Sequence, residues 1–250
     1  MPQRQTPAET MPEDWQTALA VVAHPDDLEY GAASAVAKWT TQGKKVVYVM
    51  VSRGEAGMDD LHPSEVGPLR SMEEVAAARV VGVDTVGFLD HPDGVIEYGL
   101  PLRRDISREI RRYQPDIILT LNHHLQFPTG HLNMADHRNV GVAVLDAARD
   151  AANRWIFPEL LDEGLEPWNG VRFVATFGPS EATHGIDVTG YWERGMESLR
   201  QHKAYLEHLG AESTAQTFEF LTAHAVESGQ AFGCEHAVFA ELVLINEPWG

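Results

Sequence analysis

The sequence predicts an α/β fold, one domain built on a mostly parallel sheet with helices on both faces. Three observations carry that expectation. Short apolar runs of strand length recur along the chain, amphipathic stretches of helical length separate them, and Gly or Pro stands where each helix has to stop. Residues 1–15 are polar and contain Pro, so they read as a flexible lead-in to a domain spanning 16–250. The first strand is expected over 18–23, and a helix over 32–41 ends at Gly43. A second strand over 46–51 leads to a helix over 72–81, closed by Gly82. A third strand over 86–89, a helix over 102–113, Pro115 and a fourth strand over 116–121 follow. Each of these apolar runs suits a strand buried on both faces. Beyond them the pattern predicts a helix over 136–153, a strand over 171–177, a helix over 191–209 and a last strand over 237–245.

Composition narrows the function. With 37 acidic and 19 basic side chains the net charge is −18, which repels a phosphate backbone and argues against nucleic acid as a partner. A single cysteine, Cys234, excludes an internal disulfide and a thiolate zinc finger. No apolar run approaches the ~18 residues of a membrane span, and the N-terminal stretch has no apolar core of a secretory signal. The expectation is therefore a cytoplasmic protein whose partner is a small molecule; a homo-oligomer is compatible with such a domain. Twelve histidines are the compositional oddity.

In an open parallel sheet, ligands bind outside the carboxyl ends of the strands. Four polar clusters follow strands there: His24-Pro25-Asp26-Asp27, Ser52-Arg53-Gly54-Glu55-Ala56-Gly57, Asp90-His91-Pro92-Asp93-Gly94 and Asn122-His123-His124. His24 and Asp27, three apart on a strand-to-helix loop stiffened by Pro25, can converge on one ion, with Asp26 left out as a base. Imidazole and carboxylate together suit Zn²⁺, with Fe²⁺ and other divalent ions also compatible. The competing reading is a plain turn in which Asp26 or Asp27 caps the next helix. A third ligand is available in His137, which begins a helix whose inward stripe runs through Val140, Gly141, Val144 and Ala148. Asp136 beside it either orients a ligand or caps the helix.

Together the AHPDD opening, the Ser52–Gly57 segment, the Leu89–Gly94 element, the strand starting at Pro115 and Ala135-Asp136-His137-Arg138 resemble the PIG-L/LmbE-type zinc-dependent de-N-acetylases. That family removes acetyl groups from N-acetylglucosaminyl lipids, pseudo-disaccharide thiols and some glycosylated natural products. The resemblance implies a Rossmann-like fold, His24, Asp27 and His137 as zinc ligands, and Asp26 as general base. It also implies an N-acylated sugar or glycoconjugate as substrate. Many members carry a histidine three residues before the last ligand, to stabilise the tetrahedral intermediate; Met134 stands there in this chain. His131 is expected to take that role, with His123, His124 and His184 as rivals. Arg53, Glu55, Arg70 and Asp93 lie in segments that hold substrate in the family. Set against these contacts are an Arg70 ion pair with Glu73 or Glu74 on a solvated helix face and a simple turn at Asp93-Gly94. Two other functions compete: a non-hydrolytic sugar- or nucleotide-binding protein, and an amidase for a different acyl group in a natural-product pathway. The first lacks the phosphate-cradling Gly-x-Gly-x-x-Gly after its first strand.

Overall fold

The computed structural model of the chain describes residues 8–179 and 181–245. In chain order the elements are β1 (Glu9–Thr10), β2 (Thr17–Val22), α1 (Asp27–Gly31), α2 (Ala33–Thr41), β3 (Lys45–Met50), α3 (Pro63–Val80), β4 (Val86–Phe88), α4 (Leu100–Tyr113) and β5 (Ile117–Leu121). Then follow α5 (Ala135–Asp150), α6 (Glu159–Asp162), β6 (Phe173–Phe177), β7 (His184–Asp187), α7 (Trp192–Leu199), α8 (Lys203–Leu209), α9 (Ala211–Phe232) and β8 (Ala237–Leu244). They form one eight-stranded sheet in the order β1-β7-β8-β6-β5-β2-β3-β4. Every pairing is parallel except those of β8 with β6 and β7.

Alternation along β2 explains the two cores. Ala18, Ala20 and Val22 face one side with Trp39, Met196 and Leu199, while Leu19 and Val21 face the other with Leu102, Ile106, Val140 and Val144. The sheet is thus covered on both faces, α2 and α7 lying on one and α4 and α5 on the other. From β2 the chain winds through β3 to β4 in one direction, and β5 and β6 extend the sheet in the other. The β2/β5 boundary is therefore the point where strand order reverses, the position outside whose carboxyl ends ligands bind in open sheets of this kind.

Several expectations are corrected by the fold. The lead-in is not loose where it is described: β1 pairs with β7, and Met11 and Trp15 are fully buried, because these apolar side chains close one core. Residues 1–7 of that lead-in lie outside the described residues. The α3 helix starts at Pro63 instead of Met72, since His62 Nδ1 accepts from Ser64 N at 3.2 Å and Pro63 sits where no helical N–H is needed. The helix expected over 191–209 is broken between α7 and α8 at residues 200–202. The 22-residue α9 had no expectation at all, because its buried stripe of Leu221, Ala225, Ser228 and Gly229 is thin and poor in large apolar residues.

One glycine sets the position of α5. A Cβ at Gly141 would lie 2.6 Å from His123 Cβ and 3.1 Å from Leu121 O, so only hydrogen lets the helix approach the end of β5. Gly141→Ala is expected to destabilise the fold by about 1–3 kcal/mol, read as a lower denaturation midpoint in urea. An unchanged midpoint would show that the helix can retreat freely.

Candidate metal centre

The turn after β2 is built to hold three acidic and basic groups close together without water. Asp27 Oδ2 accepts from His24 N at 2.9 Å, which closes the turn, and α1 begins at Asp27. Asp26 adopts a left-handed backbone, φ 87° and ψ −18°, and its side chain makes no capping bond. Asp26, Asp27 and His24 are all buried. Arg70 braces the turn from α3: it donates to Pro25 O at 2.6 Å and Gly54 O at 3.1 Å, and pairs with Asp26 Oδ2 at 3.1 Å. Its guanidinium also stacks on Tyr205, 4.1 Å from the ring centre.

His137 arrives from the first turn of α5, which leaves the β5 end. Its Nδ1 lies 3.0 Å from Asn133 Oδ1. Asn133, itself fully buried, donates through Nδ2 to Asn122 O at 2.6 Å and His124 O at 3.1 Å, tying the ring to the β5 terminus. His137 Nε2 is 3.1 Å from Asp27 Oδ1, yet it is a buried nitrogen without a hydrogen bond of acceptable geometry. The His24 and His137 rings sit 5.2 Å apart, centre to centre. His24 Nδ1 lies 3.7 Å from Asp27 Oδ1, while its Nε2 faces Asp93 Oδ1 at 3.0 Å and Asp136 Oδ2 at 3.3 Å. Asp136 also accepts from Gly94 N at 2.7 Å and Ile96 N at 3.1 Å, so it locks the loop after β4 against His24. It is no helix cap.

One atom each from His24, Asp27 and His137 lies within 4.8 Å of the other two, the span one divalent cation bridges. The donor set fits such an ion. One ring nitrogen of each histidine faces Asp27, while the other meets a carboxylate or an amide oxygen, as metal-bound imidazoles require. Electrostatics agree. Burial works against ionising Asp27, but the His137 and His24 rings hold its carboxyl far below the usual range. Burial pushes Asp26 up to about 6, against the pull of Arg70.

The other expected site residues are distributed differently. Asp93 reaches His24, and its Oδ2 accepts from Ala56 N at 2.8 Å. Glu55 is spent on the protein itself, accepting from Arg53 N at 3.1 Å and Asp93 N at 2.9 Å. Arg70 is buried at the Asp26 turn, not paired to Glu73 or Glu74 on a solvated face. Arg53, partly exposed, pairs with Asp90 and donates to Ser71 Oγ at 3.1 Å. His131 is not brought to the cluster: it is exposed on the loop before α5, with Nδ1 2.9 Å from Thr129 Oγ1. Among its rivals, His123 and His124 stack on each other, and His124 Nε2 lies 2.7 Å from Glu241 Oε2. His184 belongs to the β7 end of the sheet, beside Thr183. Sequence reasoning missed Asn133, Glu74 and His202 as parts of this region; isolated polar residues on helices and loops carry no periodic signal that marks them as buried.

The family described as GlcNAc-PI de-N-acetylase (PIG-L) matches residues 19–148, just over half of the chain. Diacetylchitobiose deacetylase of Thermococcus kodakarensis is 28% identical over 193 residues, covering 76% of this chain and 70% of the relative. The solved N,N'-diacetylchitobiose deacetylase from Pyrococcus horikoshii superposes with a TM-score of 0.83 at 24% identity, over 92% of this chain and 85% of that one. GalB, the 4-carboxy-2-hydroxymuconate hydratase of Pseudomonas putida KT2440, has a TM-score of 0.75 at 21% identity, over 93% of this chain and 98% of that one, so the fold alone does not fix the reaction. Among the described residues no helix is long and apolar enough to cross a membrane.

Proposed function

The chain belongs to the PIG-L family of GlcNAc-PI de-N-acetylases, and on that premise we propose that it is a zinc-dependent hydrolase removing an N-acetyl group from an amino sugar or its glycoconjugate. The observation that carries this reading is the convergence of His24, Asp27 and His137, with one ring nitrogen of each histidine directed at Asp27 and the other already engaged. In it, His24 Nδ1, the Asp27 carboxylate and His137 Nε2 would hold the ion. When bound, zinc supplies Lewis-acid activation of a water and of the acyl oxygen. Asp26, the carboxylate beside the ligands but outside their set, takes a proton from the attacking water and delivers it to the departing amine. A carboxyl raised to about 6 by burial is suited to both transfers near neutral pH. Arg70 holds Asp26 in place, and Asp136 and Asn133 keep the two imidazoles turned toward the ion. Fe²⁺ fits the same donors. Arg53, whose side chain is partly exposed, would meet a sugar hydroxyl or a phosphate.

The test is release of acetate from N-acetylglucosamine and N,N'-diacetylchitobiose by the zinc-loaded chain. Release that stops on chelation and returns with zinc is the expected result; binding of these sugars without acetate release would overturn the hydrolase reading. The support around the ligands has its own signature. Asp136→Asn leaves one acceptor oxygen where His24, Gly94 and Ile96 are served by two, and should weaken zinc binding by about 10–100-fold. Competition with a chromophoric chelator measures this, and an unchanged affinity would remove Asp136 from the account.

A further inference from the structure

Behind the HPDD turn lies a second polar cluster, more deeply buried than the first. Glu29, Glu74 and His202 are 2%, 0% and 0% exposed. His202 Nε2 is 3.7 Å from Glu29 Oε2 and 3.7 Å from Glu74 Oε2, too far for hydrogen bonds but close for charges in a dry interior. Glu29 Oε1 accepts from Ser198 Oγ at 2.9 Å, and Glu74 Oε2 accepts from Asp26 N at 3.1 Å. Glu29 Oε2, Glu74 Oε1 and both His202 ring nitrogens have no hydrogen-bond partner. Two carboxylates enclosed this way repel each other unless a cation or a proton lies between them. Arg70, at the same turn, is already committed to Asp26, Pro25 and Gly54.

The link to chemistry runs through the Asp26 amide. Asp26 is a non-glycine residue in the left-handed region, a conformation that persists only where neighbours hold it. Arg70 holds its carboxylate, and Glu74 holds its N–H. We propose that His202 is a positioning residue: its ring keeps Glu74 against the Asp26 N–H and so fixes the turn that aims the Asp26 carboxylate. Burial opposes a charge on His202 and, with Glu29 beside it, raises the Glu74 carboxyl well above the usual range, but Glu29, Glu74 and Asp26 push His202 up to about 9. This inference rests on the deacetylase reading, in which Asp26 handles the proton.

The test uses the full zinc-loaded chain as wild type, His202→Gln, Glu74→Met and the double variant. Each single change should lower kcat by about 10–100-fold, the scale of a misplaced catalytic group, with KM within about threefold and one zinc retained. Both act through one contact, so the double variant should be no slower than the slower single. A kcat that holds in Glu74→Met, or losses that multiply in the double variant, would overturn the proposal. Histidine-selective NMR of the wild type at about pH 8 adds a readout independent of turnover and of variant folding. An imidazolium at His202 is expected, and a neutral ring refutes the clamp. If His202→Gln does not fold, Glu74→Met and the ring charge decide. A wild-type chain that releases no acetate instead sinks the deacetylase reading, and the ring charge still tests the clamp.

Discussion

Replacing Asp26 by Asn is expected to lower kcat by about 10²–10⁴-fold while leaving zinc binding intact, the range a positioned acid–base group supplies. The substitution keeps the shape of the side chain and its place beside Arg70, and removes only the ability to take a proton. Asp26 can lose turnover alone because it stands outside the set formed by His24, Asp27 and His137, with one carboxylate oxygen held 3.1 Å from Arg70 Nη2. Steady-state kinetics and metal analysis on the same preparation check both halves. Equal loss of zinc would mean that Asp26 belongs to the ligand set, and full activity would mean that the proton goes elsewhere.

His137→Ala should fail in a different way, losing metal and turnover together. Removing it takes one of three donors and leaves Asp27 without the partner that most favours its charged form, so the carboxylate faces a gap in a buried site. The loss of zinc affinity should exceed the ~10–100-fold typical of a residue that merely orients a ligand. It should therefore exceed that of Asp136→Asn measured on the same scale. Comparable losses in the two variants would contradict the assignment of His137 to the ion.

The four early strands and the rim shared by the clusters that follow them were legible because parallel strands covered on both faces must be continuously apolar, and polar residues immediately after them stand out. The convergence of His24 and His137 was legible in part, from the inward stripe that follows His137. What could not be read was every contact depending on where a long side chain folds back. Arg70 reads either as a substrate contact or as a surface ion pair with Glu73 or Glu74, yet it turns inward to the main-chain oxygens of Pro25 and Gly54. His202 falls inside the span that the pattern reads as one helix over 191–209; in the structure it lies in the break at residues 200–202 and is fully buried. His131 sits six positions before His137, a spacing that says nothing about direction across an irregular loop. The absence of a histidine at Met134 leaves the acyl oxygen with no imidazole from that position.

The whole account stands on one ion at one place. Anomalous diffraction at the zinc edge, from crystals grown with zinc, locates it directly. A single strong peak about 2.0–2.2 Å from a nitrogen of His24, a nitrogen of His137 and an oxygen of Asp27 is the predicted result. A peak seated instead at His123, His124 and Glu241, or none at all within reach of His24 and His137, would contradict it.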